Sequence, residues 1–318
     1  MNLKNTDLNV SKIVLGTDSY GSIVDESLSF EMMDFYRENG GNIIDTAECY
    51  ANWLPEGVHR SENTIGKWMK ERNNRHEIVI STKGGHYPLG ERPRLTKDDI
   101  FSDLDGSLKR LGTDYIDIYW LHRDAKELPV EPIMDVLSEA VNQGKVRYIG
   151  VSNWTCERII RANAYLESIK APKLIASQIQ FSAATPNVEK NEPDLVLMNK
   201  NEYDFFKVND MTVFAFAAQA KGFFSKYDVG GVSALSEKAE RRYYNEKTLY
   251  AYECIKKISL EHNCSIGAAA LSAVINVDDF DTVGIVGCKN ISQLKDSMSA
   301  ENIRLSGKEI AFIRENLK

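Results

Sequence analysis

The chain has 318 residues, 43% hydrophobic and 27% charged, a globular balance with ample apolar material for a large core, which excludes a disordered or low-complexity protein. The formal net charge is −7, with Lys and Arg interspersed among Asp and Glu; this leaves no basic face for nucleic acid or an anionic membrane and favours a small-molecule partner. No apolar run reaches the ~18 residues of a membrane span, the opening MNLKNTDLNV holds no signal-like apolar run, and Cys49, Cys156, Cys254, Cys264 and Cys288 form no C-x-x-C pair, so a cytoplasmic protein with free thiols is expected.

Leu3, Leu8 and Val10 around Asn5-Thr6-Asp7 predict a small N-terminal β-hairpin. Eight short apolar runs follow: KIVLG, NIIDT, EIVISTK, DYIDIYWLH, RYIGVSN, LIASQIQ, TVFAFA and TVGIVGC. Between the third and fourth, Ile100, Leu104, Leu108 and Leu111 form one helical stripe, opened by Thr96 and Asp99 as a capping pattern and closed by Gly112. Between the fourth and fifth, Ile133, Val136, Leu137, Ala140 and Val141 repeat at helical spacing and stop at Gly144. Both segments read as crossover helices. Strands apolar on both faces and separated by a helix pair in parallel, and eight such units fit a closed (β/α)8 TIM barrel better than an open sheet. The open dinucleotide-binding sheet requires G-x-G-x-x-G after an early strand, whereas GTDSYG follows here.

No shift in composition divides the chain, so residues 1–318 read as one domain; the sequence assigns no oligomeric state. Three connections, at 84 to 95, 182 to 211 and 218 to 243, are long against the ~2 to 6 residues usual for βα loops and are expected to carry binding. The last reads as either a mobile lid or a disordered surface excursion.

Polar residues stand where the apolar strands end: Asp45, Lys83, His122, Ser152 and Asn153, Gln178 and Lys289. In a barrel the C-terminal strand ends open on one face, so these residues are expected to meet around one pocket. A phenol has a reference pKa near ~10, and a neighbouring ammonium lowers it. Tyr50 lies five residues past Asp45; with Lys83 beside it and Asp45 fixing that lysine, it becomes a tuned general acid. A neutral His122 would orient a substrate carbonyl. The set suits reduction of a carbonyl by hydride from a bound cofactor.

Tyr20, Trp53, Tyr87 and Trp120 are candidate pocket walls; Trp120 shares strand parity with His122, although core filling explains that equally well. Cys49 reads as an oxidation-sensitive thiol or as an inert one packed behind the site. The remaining histidines, His59, His76, His86 and His262, follow no metal-ligand spacing, so no metal is expected.

The segments IIDTAECY, SENTIGKWM, ISTKGG, WLHRD, NQGKVRYIGVSNW, SQIQFS and VGCKNISQLKDS resemble the aldo-keto reductases, in this order and across nearly the whole chain. The resemblance implies a (β/α)8 barrel that binds NADPH without a Rossmann fold, and a catalytic tetrad of Asp45, Tyr50, Lys83 and His122. It further implies that Ser152, Asn153 and Gln178 bind the nicotinamide carboxamide, with Gly16, Thr17, Gly287, Asn290 and Gln293 among the other cofactor contacts. In AFAAQAKG, Phe216 replaces the tyrosine that stacks on the nicotinamide in the family's AYSPLAQG. Where the family reads IPGA this chain has IVGC, and Ser297 replaces a customary Asn, so the adenine side departs from the pattern. Lys289 stands where the family places a basic residue against the 2′-phosphate, which favours NADPH over NADH. Sugars, aldehydes, quinones and steroids are all compatible substrates. The alternatives are an NADPH-sensing regulatory protein of the same fold, and a cofactor-free barrel lyase or isomerase using Lys83 as base or Schiff-base amine.

Overall fold

Each of the eight apolar runs folds as a strand in the computed structural model, which describes residues 1–54 and 58–317. The strands are β1 (Ile13–Gly16), β2 (Ile43–Asp45), β3 (Val79–Gly84), β4 (Ile116–Leu121), β5 (Val146–Ser152), β6 (Ala176–Gln180), β7 (Thr212–Phe216) and β8 (Thr282–Val286). They close into a barrel in chain order with every neighbouring pair parallel. Parallel strands covered on the outside by helices and on the inside by one another have no wet face, which is why the sequence runs are continuous rather than alternating.

The helices α1 (Glu26–Glu38), α2 (Arg60–Arg72), α3 (Lys97–Leu111), α4 (Val130–Asn142), α5 (Cys156–Ser168) and α6 (Lys200–Val208) follow the first six strands. The capping box that opens α3 is formed, the Thr96 hydroxyl accepting from Asp99 N while the Asp99 carboxylate accepts from Thr96 N, and Gly112 ends the helix at φ 64°. At its lower end the barrel is plugged by the predicted hairpin, where Leu3 N donates to Leu8 O at 2.9 Å. Leu3, Leu8 and Val10 pack there on Val14, Ile43, Ile118, Trp120 and Phe214.

Two expectations about loops are corrected. The stretch 182 to 211 contains α6, opened by the Asn199 side chain accepting from Asn201 N and Glu202 N and buried through Tyr203, Phe205 and Phe206. The stretch 218 to 243 is mostly helical, with α7 (Phe223–Gly230) and α8 (Glu237–Tyr243), so it is no structureless excursion. These helices span only seven to nine residues, about two turns, too short for a hydrophobic period to stand out. The chain continues through α9 (Glu246–Glu261) and α10 (Ile266–Ile275), and after β8 through α11 (Ile291–Ser299) and α12 (Ala311–Asn316). No single helix among the described residues is long and apolar enough to cross a membrane.

The outer helices meet closely where side chains are smallest. A Cβ on Gly66 of α2 would lie 2.1 Å from Arg110 O and 2.9 Å from Leu111 Cα at the end of α3. Those are helix backbone atoms that cannot rotate away, so Gly66→Ala is expected to cost about 1–3 kcal/mol through overpacking. The readout is a lower urea midpoint at unchanged slope.

Candidate active site

The upper strand ends converge as the strand register requires. Asp45 closes β2 opposite Ser81, Lys83 stands opposite Trp120, and Ser152 opposite Gln178. His122 extends β4 by one residue, its backbone N–H donating to Gly84 O at 2.8 Å. Tyr50 sits in the turn after β2, with its backbone N–H on Ala47 O at 3.1 Å.

The Lys83 ammonium uses all three of its donors. It reaches Asp45 Oδ1 at 2.5 Å, Thr46 O at 2.7 Å and the Tyr50 hydroxyl at 3.0 Å. The other Asp45 oxygen accepts from Ser81 Oγ at 2.8 Å and from Gln178 Nε2 at 3.0 Å. Ser81 Oγ in turn accepts from Trp120 Nε1 at 2.7 Å. Lys83 is 1% exposed and Asp45 2%, so this ion pair lies in the interior, where it is tolerated because its remaining lone pairs and protons are matched.

Because the Tyr50 oxygen accepts from Lys83, its own O–H is left to point elsewhere. Burial pushes the phenol up; Lys83 pulls it down and Asp45 adds to the rise, with a net value of about 12. The expected depression by the ammonium is therefore corrected: at this depth desolvation outweighs the attraction, and the phenol is protonated at neutral pH. Burial lowers Lys83, but Asp45 and Tyr50 more than offset it and hold the ammonium above its ordinary range. Burial, with the positive Arg123 and Lys83 and the neighbouring His86, holds His122 well below its usual range, so its imidazole is neutral.

His122 meets the Tyr50 ring edge-on at 5.9 Å and the His86 ring at 4.9 Å. Its Nδ1 lies 3.6 Å from Cys49 Sγ. Burial pushes the Cys49 thiol up to about 12, which favours the inert reading over the oxidation-sensitive one.

The predicted pocket walls divide. Trp120 and Tyr20 are fully enclosed, Trp120 against Phe214 at 4.9 Å in the barrel interior and Tyr20 in the outer core. Neither is a wall; strand parity reports inward or outward but not depth. Trp53, 58% exposed, and the half-buried Tyr87, whose hydroxyl donates to Asp124 O at 2.6 Å, remain at the surface.

Among the expected cofactor residues, Gln178 is tied to Asp45 by its Nε2, and its carbonyl oxygen has no partner among the described residues. Asn153, at φ 60°, donates to Ser152 Oγ at 3.0 Å. Phe216 ends β7 half-buried, and Ala217, Ala220 and Lys221 just beyond it hold positive φ angles of 52°, 47° and 55°, a strain that folds retain mostly at binding sites. Thr17 is fully buried, its hydroxyl bound to Asp45 O at 2.9 Å and Ser61 Oγ at 2.9 Å, so its side chain faces structure rather than ligand. Gly16 is enclosed in β1, where a Cβ would meet Ile285 at 2.9 Å. Gly287, Lys289, Asn290 and Gln293 are exposed at the start of α11, where Asn290 Oδ1 accepts from Gln293 N at 2.9 Å and Gln293 Oε1 from Lys289 N at 2.9 Å.

Two features went unread in the sequence. Arg123 donates from Nη1 to His122 O at 2.9 Å and from Nε to Asp194 at 2.6 Å. Val196 N donates to Asn153 Oδ1 at 3.2 Å, so the segment after β6 is fastened across the ends of β4 and β5. His86 beside His122 is the other; both Arg123 and His86 lie within three residues of a strand end, which is the signal that could have found them.

The Aldo/keto reductase family profile matches residues 12–318. The chain is similar to aldo-keto reductase yakc of Schizosaccharomyces pombe, whose name specifies NADP(+), with 32% identity over 87% of this chain and 78% of that protein. It is 26% identical to aldo-keto reductase str7 of Strobilurus tenacellus over 93% of this chain and 83% of the relative. It is 27% identical to norsolorinic acid reductase of Aspergillus flavus over 96% and 77% respectively.

Proposed function

The chain belongs to the aldo/keto reductase family and is therefore an oxidoreductase; from that premise we propose that residues 1–318 form one NADPH-dependent reductase unit acting on an aldehyde or ketone, or on the alcohol in reverse. The observation that carries this reading is the Lys83 ammonium placed 3.0 Å from the Tyr50 oxygen and 2.5 Å from Asp45.

The residues present fit a nicotinamide. Gln178, tied by Nε2 to the Asp45 that also holds Lys83, keeps a carbonyl oxygen with no partner among the described residues to accept from the carboxamide. Ser152 Oγ keeps a hydrogen to donate, Asn153 holds Ser152 through its amide, and the half-buried Phe216 offers an aromatic ring before a strained turn. When bound, NADPH supplies the hydride. Tyr50 holds the proton at its hydroxyl and delivers it to the carbonyl oxygen, so that hydride and proton together make the alcohol. Lys83 fixes the phenol's orientation by occupying its lone pair, and Asp45 holds Lys83. The neutral His122 orients the same carbonyl oxygen.

The lyase reading fares worse. A Schiff-base lysine must be deprotonated to attack, whereas Lys83 is held charged with every donor engaged. The test is a panel of aldehydes, ketones and alcohols with NADPH and with NADH, followed by absorbance of the reduced nicotinamide. Turnover with NADPH is expected; tight NADPH binding with negligible turnover on every carbonyl would instead make the protein a sensor.

The side chain of Lys289 has no partner among the described residues and stands exposed beside the N-terminus of α11. Pairing with a 2′-phosphate is a charge-assisted contact, so Lys289→Ala is expected to weaken NADPH roughly ten-fold while leaving NADH unchanged. Equal weakening of both cofactors would remove Lys289 from the phosphate.

A further inference from the structure

We propose that Cys49 is a positioning residue that sets the tautomer of His122: its thiol donates S–H to Nδ1 and so keeps the ring's proton on Nε2. The inference rests on the reading above, in which His122 orients the substrate carbonyl.

The backbone of His122 is held at both of its polar groups. His122 N donates to Gly84 O, and His122 O accepts from Arg123 Nη1 at 2.9 Å and from Asn153 Nδ2 at 3.4 Å. What the backbone does not determine is which ring nitrogen carries the proton. A neutral imidazole has one donor and one acceptor, and a hydrogen bond at one nitrogen decides the role of the other.

Among the described residues Cys49 Sγ, 3.6 Å from Nδ1, is the only hydrogen-bonding partner of the ring. His86 and Tyr50 meet the ring in T-shaped contacts, at 4.9 and 5.9 Å between centroids, rather than through hydrogen bonds. The direction of the bond follows from the acid–base state of the pair. Burial keeps the thiol protonated and the imidazole neutral, so neither thiolate nor imidazolium is present. A neutral thiol sulfur is a weak acceptor, whereas Nδ1 of a neutral ring is a good one. S–H to Nδ1 is therefore the favoured arrangement, and Nε2 carries the hydrogen.

The consequence for chemistry is one of sign. With hydrogen on Nε2 the ring donates to a carbonyl oxygen. With hydrogen on Nδ1 it presents a lone pair to the oxygen's lone pair, and the contact turns repulsive. Cys49 and Tyr50 are neighbours in one turn, pinned where Asn52 N donates to Cys49 O at 3.1 Å, so a single loop carries the proton donor and the group that aligns its helper. Loss of the correct tautomer is costly in enzymes whose histidine must present a given nitrogen.

The test is long-range proton–nitrogen NMR on the NADPH-loaded protein with labelled histidine, the His122 signals among the five histidines being assigned by their disappearance in His122→Gln. Wild type is expected to show the Nε2–H pattern. In Cys49→Val the pattern should become mixed or switch to Nδ1–H, and kcat should fall roughly ten-fold at unchanged KM for NADPH. Cys49→Ser, which keeps a donor, should retain the Nε2–H pattern and recover most of kcat. If Cys49→Val does not fold, Cys49→Ala is read in its place. An Nδ1–H pattern in wild type, or an unchanged pattern and kcat in the apolar variant, overturns the proposal. Because the tautomer is read without turnover, this result is separable from failure of the reductase reading, which would show instead as negligible turnover of the wild-type protein on every carbonyl despite NADPH binding.

Discussion

Tyr50→Phe is expected to lower carbonyl reduction by about 10²- to 10⁴-fold, the range lost with a positioned general acid, while NADPH affinity and fold persist. Phenylalanine keeps the ring that His122 meets edge-on at 5.9 Å and that the Lys83 ammonium overlies at 4.6 Å. Only the hydroxyl is removed. Lys83 loses one of three acceptors but keeps Asp45 and Thr46, so the stability change should stay near ~1 kcal/mol, that of one hydrogen bond. The pH dependence carries a second signature. With the phenol at about 12, the acid form is present throughout the neutral and mildly alkaline range, so wild-type reduction should be flat there and decline only toward that value. Alcohol oxidation needs the phenolate and should climb as pH rises over the same range. Steady-state rates in both directions, with a fluorescence titration of NADPH, read these outcomes. A variant near wild-type rate would place the proton donor elsewhere.

The parts of the fold that could be read from sequence are those whose signal is local. Strands buried on both faces announce themselves as unbroken apolar runs such as IVLG and IDIYWL, and α3 carries its own start and stop in Thr96, Asp99 and Gly112. α6, α7 and α8 carry no comparable mark, because two turns resting on a few aromatics look like loop. The site divides along the same line. That Asp45, Tyr50, Lys83 and His122 meet on one face follows from strand ends and barrel topology. Depth does not follow from them. Trp120 and Tyr20 proved to be core, and the Tyr50 phenol rises rather than falls, because burial enters as strongly as the neighbouring charge and no sequence pattern reports it. The Arg123–Asp194 pair was equally hidden, joining residues 71 positions apart through a long connection without periodicity.

Lys83→Met is expected to be the most damaging single change, costing about 3–5 kcal/mol of stability as well as activity. It leaves Asp45, 2% exposed, with Ser81 and Gln178 but no counter-charge, and an uncompensated buried carboxylate is far more costly than a missing hydrogen bond. The loss is legible in full at neutral pH. Lys83 has its folded-state pKa raised, so its contribution is complete below the unfolded value of ~10.4 and disappears only as pH climbs through the higher folded value. Asp45→Asn makes the opposite break, leaving the ammonium with neutral acceptors alone, the amide oxygen, Thr46 O and the Tyr50 hydroxyl, and no counter-charge. The double variant Asp45→Asn/Lys83→Met removes both charges and should be more stable than the sum of the single losses allows, by more than ~1 kcal/mol. Urea unfolding of the four proteins measures this directly. Simple additivity would mean that the two groups do not sense each other, and with it the reason for placing a charged lysine beside the phenol would be gone.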